Sequence, residues 1–237
     1  EEDKPVAGLA IQNTQSPTPS WGLDRVDQRE KVGLTGSVSA YGYRSAGAGA
    51  TIYIGDTGIY PHNDLAGRIS TSGYSAINDG NGTVDCNGHG THVSGTIGAK
   101  GNNGVGVVGV NWDVKIAACQ FLDADGYGST AGAIACLDYF TDLKVNHGVD
   151  IKATNNSWGG GSFSQALKDA IEAGGEAGIL FVAAAGNDAV DNDASPHYPS
   201  SYDSDVVLSI ASTDRNDRMS DFSQWGLTSV DMGAPGS

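Results

Sequence analysis

Short apolar runs rich in β-branched residues recur along the chain, separated by helix-like segments, and this alternation restricts the fold more than any other feature. "ATIYIGD" (50–56), "DVKIAACQFL" (113–122) and "VDIKATNNSW" (149–158) read as strands. "ILFVAAAGN" (179–187) and "DVVLSIAST" (205–213) read as buried parallel strands. Between them, Val93 and Ile97 in "VSGTIGAK" (93–100) stand at helical spacing. "STAGAIACLDYFTDLKVN" (129–146) puts Ala133, Ile134, Leu137 and Phe140 on one helical face, and "SFSQALKDAIEAGGEAG" (162–178) is a helix that fades into glycine. The order predicts one α/β domain of three layers, helix–sheet–helix, around a mostly parallel central sheet. Ligands of such sheets gather beyond the carboxyl ends of the strands, where Asp56 and Asn187 both stand.

A chain of 237 residues can bury one sizeable core. Its 35 glycines sit inside apolar segments as well as turns, which argues for tight packing and not for a linker. The balance of 13 basic to 28 acidic residues gives a net charge of -15. Such a surface repels phosphate backbones and anionic lipid, so neither a nucleic acid nor a membrane is expected as partner. No apolar run is long enough for a spanning helix. The start, "EEDKPVAGLA", lacks the features of a signal peptide, so the chain reads as cytosolic or already processed. Cys119 and Cys136 stand in core-like contexts and read as buried free thiols. Cys86, three residues before His89, could be a nucleophile or a ligand, but no Cys/His spacing supports a metal and nothing nearby activates a thiolate.

"NGHGTHVSGT" (87–96) carries two histidines three apart. A helical zinc peptidase needs them four apart with a glutamate between, and 87–96 contains no glutamate. Packing explains His92, one turn into the helix. It explains His89 badly, because Gly88 and Gly90 strip side-chain cover from it; that setting suits a general base at a helix N-terminus. A base needs an orienting carboxylate and a nucleophile, and Asp56 supplies the carboxylate. Asp-Thr-Gly at 56–58 also suggests an aspartic peptidase, but that chemistry needs two such carboxylates in an all-β fold.

"DTGI" (56–59), "GHGTHVSGT" (88–96), "NNSWGG" (155–160), "AAAGN" (183–187) and "APG" (234–236) resemble, in order and spacing, the successive motifs of subtilisin-like serine peptidases. "WGLDRVDQR" (21–29) resembles the N-terminal segment of the secreted bacterial members. The resemblance runs over residues 21–237, leaving 1–20, with "SPTPS" at 16–20, as an extended arm or a residual pro-segment junction. It implies a secreted, monomeric endopeptidase acting on proteins and peptides through an acyl-enzyme, made with an inhibitory pro-segment. Asp56 would orient His89, His89 would act as base and then acid, and Asn187 would donate to the oxyanion. Ser157, Trp158 and Gly159 would pair with an extended substrate, with Leu122, Gly126 and Gly128 as the other wall. Ala184, Ala185 and Gly186 would line a specificity pocket with room for a large apolar side chain. The resemblance further implies structural calcium, held by Asp64, by Asn103, by the carbonyls of Gly101, Val105 and Val107, and by Gln15, with a second candidate at Asp214 near Ser200 and Tyr202. The acidic loop "NDAVDNDASP" (187–196) reads as ordinary surface.

Neither Ser157 nor Ser237 matches the family's nucleophile, whose Gly-Thr-Ser-Met-Ala motif follows "APG" in the family and does not occur in these residues. The 237 residues are therefore expected to be inactive alone and to bare an apolar trough where the family's next helix packs. A catalytically dead fold serving as a binding module is the alternative reading.

Overall fold

Successive residues of the strand Thr51–Asp56 turn to opposite sides of a sheet that is covered on both faces. Tyr53 meets the ring of Phe140 at 4.3 Å on one side. Ile54 packs with Ile59, Leu65 and Ile116 on the other. A computed structural model describes residues 13–18, 20–28, 40–104 and 106–237. The elements run β1 (Asn13–Gln15), α1 (Trp21–Val26), β2 (Tyr41–Tyr43), β3 (Thr51–Asp56), β4 (Tyr74–Ser75), α2 (His89–Gly98) and β5 (Lys115–Gln120). They continue with α3 (Thr130–His147), β6 (Ile151–Asn156), α4 (Gln165–Glu176), β7 (Leu180–Ala184), β8 (Val207–Thr213) and β9 (Met232–Pro235). Seven strands form one sheet in the order β4-β5-β3-β6-β7-β8-β9, every pair parallel. The three-layer expectation holds: α2 lies on one face, α3 and α4 on the other.

The order places the crevice. Strand β3 lies between β5 and β6, and the chain reaches β5 through α2 on one face of the sheet and β6 through α3 on the other. The reversal opens a gap above the carboxyl end of β3, where Asp56 stands. Helix α3 starts on Ser129, whose hydroxyl accepts from the Gly132 amide, and stops at Gly148 in the left-handed conformation. It buries Ala133, Leu137 and Phe140, the predicted face, with Ile134 at its margin.

The cysteines correct one expectation. Cys119 and Cys136 are not free thiols; they form a disulfide between β5 and α3, with Cα atoms 5.8 Å apart. Alternation along β5 turns Cys119 to the α3 side, with Ala117, and Cys136 lies on the buried face of α3. Cys86 is free and exposed. The bridge closes a loop of 17 residues, for which the chain-entropy account gives about 3 kcal/mol. Denaturant unfolding of C119A/C136A is expected to show a loss of about that size. A loss below about 1 kcal/mol would mean that the unfolded chain gains nothing from the missing link.

A second correction concerns His92, which is exposed and not packed. It stands on the outer side of α2, on the wall of an open apolar trough of about 830 Å³ that also includes Leu23, Val26, Val108, Val110 and Pro235. An apolar trough thus lies beside α2. Of the N-terminal arm, residues 1–12 and 19 lie outside the described residues, and β1 pairs antiparallel with β2.

Candidate active site

Asp56 ends β3 with its side chain fully buried, and the Thr57 amide donates to Oδ1 at 2.7 Å. His89 opens α2 directly above it. Its Nδ1 lies 2.8 Å from Oδ1 and 2.9 Å from Oδ2 of Asp56, the side of the ring expected for an orienting carboxylate. The side chain of His89 is 47% exposed against 0% for Asp56, so the ring is gripped from below and open above. The hydrogen bond to Asp56 raises the His89 pKa above its ordinary value, burial opposes this, and the charges of Asp56 and Asp85 add to the rise.

Gly90 lets the two elements meet. A Cβ there would fall on the Gly58 carbonyl oxygen, well inside contact distance, and 3.2 Å from Oδ1 of Asp56. Gly90 thus serves a backbone approach, whereas Gly88 serves its positive φ of +110° and meets nothing among the described residues.

Beside His89 a cleft of about 590 Å³ opens between two walls. Leu122, Gly126 and Gly128 line one, where Leu122 and Gly128 pair across a turn held by Asp123, whose Oδ1 accepts from the Asp125 and Tyr127 amides. Ser157, Trp158 and Gly159 line the other. Phe121 and Trp158 meet edge to face at 5.0 Å in the floor. His197 packs beneath Gly159, where an added Cβ would fall on its ring. All six predicted substrate-wall residues therefore face one cleft with His89.

Ala185, Gly186 and Asn187 stand outside that lining, at the carboxyl end of β7. Asn187 is exposed, while Ala185 is buried and donates its amide to the Ile210 carbonyl. Two buried amides brace this corner: Asn192 Nδ2 donates to the Ala185 carbonyl at 2.9 Å, and Gln224 Nε2 donates to Asn192 Oδ1 at 2.6 Å. Gly186, at φ +116°, leaves room for the Gln224 side chain. Residues 32 apart make this brace, and no sequence pattern announces it. The acidic loop is also more than surface. Asp193 accepts from the amides of Leu227, Thr228 and Ser229 and from the hydroxyls of the last two. Those bonds, the Ser229 hydroxyl foremost, lower its pKa to about 2.

Neither rejected serine bonds to His89. The Ser157 hydroxyl accepts from Asn155 Nδ2, and that of Ser237 shares a hydrogen bond with Ser220.

The expected cation ligands divide. Asp64 is buried, and its carboxylate accepts from Asn103 Nδ2 at 2.8 Å and from the Val107 amide at 3.2 Å. Gln15 reaches the same loop through Nε2, which donates to Asn102 Oδ1 at 3.1 Å, and its own Oε1 is buried without a partner among the described residues. Gly101 lies under the ring of Trp112, and Val105 lies outside the described residues. Asp214 is engaged in its own turn, accepting from the amides of Asn216 and Arg218, and its pKa is lowered, chiefly by the Arg218 amide. Among the described residues no three His, Cys, Asp or Glu side chains converge.

The family model described as "Subtilase family" matches residues 47–237. Subtilisin-like protease 7 of Trichophyton tonsurans is 40% identical over 238 residues, covering 100% of this chain and 54% of that protein. Subtilisin-like protease 3 of the same organism is 41% identical, covering 100% and 55%. The chain thus spans about half the length of the curated relatives it matches. Among solved structures, a cold adapted subtilisin-like serine proteinase superposes with a TM-score of 0.77 at 36% identity, over 94% of this chain and 74% of that one. A protease of Pseudoalteromonas arctica gives 0.71 at 30% identity, over 81% and 64%.

Proposed function

Since the chain belongs to the subtilase family, we propose that it contributes the acid–base half of a secreted serine endopeptidase. One observation carries the reading: a fully buried carboxylate grips Nδ1 of a half-exposed histidine at the edge of a cleft. With Nδ1–H held by Asp56, the other ring nitrogen is free to take a proton from a hydroxyl and return it to a leaving amine. Asp56 orients the ring and stabilises the imidazolium that forms. An extended peptide pairs with residues 157–159 against the wall of Leu122, Gly126 and Gly128. Asn187 is the candidate donor to the oxyanion. The nucleophile comes from chain beyond residue 237, which the greater length of the relatives and the apolar trough beside α2 both support. The disulfide supports an oxidising, extracellular setting. No helix of the described residues is long and apolar enough to cross a membrane. The test is digestion of an unfolded protein by the full-length enzyme. New internal N-termini are expected; peptide binding without cleavage would favour the binding-module reading.

Structural calcium belongs to the same proposal. The fit rests on the orphaned Gln15 Oε1 beside a loop that already gathers on a single carboxylate, Asp64. Oxygen ligands of Asp64, Asn103, Gln15 and nearby carbonyls suit a hard cation. An ion that binds only the native state adds about 1.4 kcal/mol per tenfold rise above its Kd. Chelation is expected to lower the melting temperature, and D64A to blunt that response. Superimposable melting curves with and without chelator would remove calcium from the account.

A further inference from the structure

A third carboxylate lies beneath the pair, and the mechanism above does not use it. Asp85 is 6% exposed, and no lysine or arginine forms an ion pair with it among the described residues. It accepts five hydrogen bonds. To Oδ1 come the Thr57 hydroxyl at 2.8 Å and the amides of Asn87 and Gly88 at 2.9 and 2.8 Å. To Oδ2 come the Thr91 amide at 2.9 Å and the Thr91 hydroxyl at 2.6 Å. A carboxylate has about four lone-pair sites, so both oxygens are fully used.

The two threonines make this more than a cap. Thr57 follows Asp56, and its hydroxyl, while donating to Asp85, accepts from the Gly90 amide at 3.0 Å. Thr91 stands two residues after His89, and its hydroxyl, while donating to Asp85, accepts from the Tyr60 amide at 2.8 Å. Each hydroxyl therefore bridges from its own segment, through Asp85, to the backbone of the other. The three amides that Asp85 holds bracket His89 in sequence, and those of Gly88 and Thr91 are among the unpaired donors that every helix start presents.

We propose that Asp85 is the positioning residue of the catalytic pair, locking the turn after Asp56 to the first turn of α2 and placing a second negative charge under the His89 ring. The proposal rests on the reading of His89 as base, but its geometry does not. Burial pushes the Asp85 pKa up, and the bonds from Gly88, Thr91 and Asn87 outweigh it, so the group stays ionised. Asp56 and Asp85 are the two charged groups that act on His89. An amide cannot replace the carboxylate, because its NH₂ would face the Thr91 N–H.

The experiment compares D85N, T91V and D193N in the full-length protein. The His89 pKa is read from its ring C–H shifts by NMR, beside the pH profile of kcat/KM. D85N is expected to lower the His89 pKa, and with it the acid limb of kcat/KM, by several tenths of a unit. It is expected to cut the plateau about a hundredfold. T91V keeps the charge, so the pKa should hold while the plateau falls about tenfold. D193N removes an equally loaded carboxylate far from the pair in sequence and should move neither. An unchanged His89 pKa and plateau in folded D85N would overturn the proposal. Should D85N fail to fold, an unchanged plateau in T91V does so. If the wild type cleaves nothing, the peptidase reading fails, while the NMR titration still decides the role of Asp85.

Discussion

Replacing His89 with alanine in the full-length protein is expected to lower kcat by at least about three orders of magnitude, with the protein still folded. The ring makes no packing contribution comparable to that loss, because its upper side is open and half the side chain is exposed. Without it the serine has no proton acceptor, and what survives is orientation and oxyanion binding. The pH profile of the unmutated protein checks the same claim. Asp56 raises the His89 pKa above the ordinary 6.5, and the base works only when neutral, so kcat/KM climbs as pH rises through the raised value. Stability runs the other way. The charged ring on Asp56 favours the fold below the unfolded pKa, and that contribution disappears as pH rises through the folded one. Kinetics and melting measured on one sample across this range therefore slope in opposite directions. Near-normal turnover in H89A would remove His89 from the mechanism.

Gly90→Ala is expected to cost at least about a hundredfold in kcat/KM and to lower the melting temperature. Alanine in a helix interior normally gains close to 1 kcal/mol over glycine. Here the gain is overridden: the new Cβ would fall on the Gly58 carbonyl oxygen and press on Asp56, at 3.2 Å from both its Cβ and Oδ1. Backbone cannot yield as a side-chain end would, so α2 must lift off β3. Lifting moves His89 relative to Asp56, and displacement of about 1 Å suffices for a loss of this size. Among the described residues an added Cβ at Gly95, on the same helix, meets only the tip of Val107 at 3.5 Å, so the clash is particular to Gly90. A faster or unchanged G90A would show that the close approach of α2 and β3 does not set the geometry.

The strands and helices were legible because their cause is local. A β-branched run such as Thr51–Asp56 and a seryl cap such as Ser129 act over a few residues, and the structure follows them closely. The pair was legible for a related reason: a carboxylate at a strand end and a histidine between glycines are each odd in a packed interior. The disulfide was not, because it depends on which face of β5 meets which face of α3, and neither segment states the match alone. Asp85 was missed because its link to the pair runs through Thr57, 28 residues away, although an aspartate just ahead of a helix is itself a capping signal. His92 was misplaced because helical periodicity says that a face is apolar and not what lies against it.

Mapping of a fluorophosphonate adduct on the full-length protein tests the central claim most directly. The reagent esterifies a serine hydroxyl only where a neighbouring base takes its proton, as fluoride leaves. Intact mass followed by peptide mapping should show one adduct, on a serine beyond residue 237, formed in the unmutated protein and absent in H89A. An adduct on Ser157 or Ser237, or equal labelling in H89A, would contradict the assignment of Asp56 and His89 as the base of a nucleophile carried by the chain that follows.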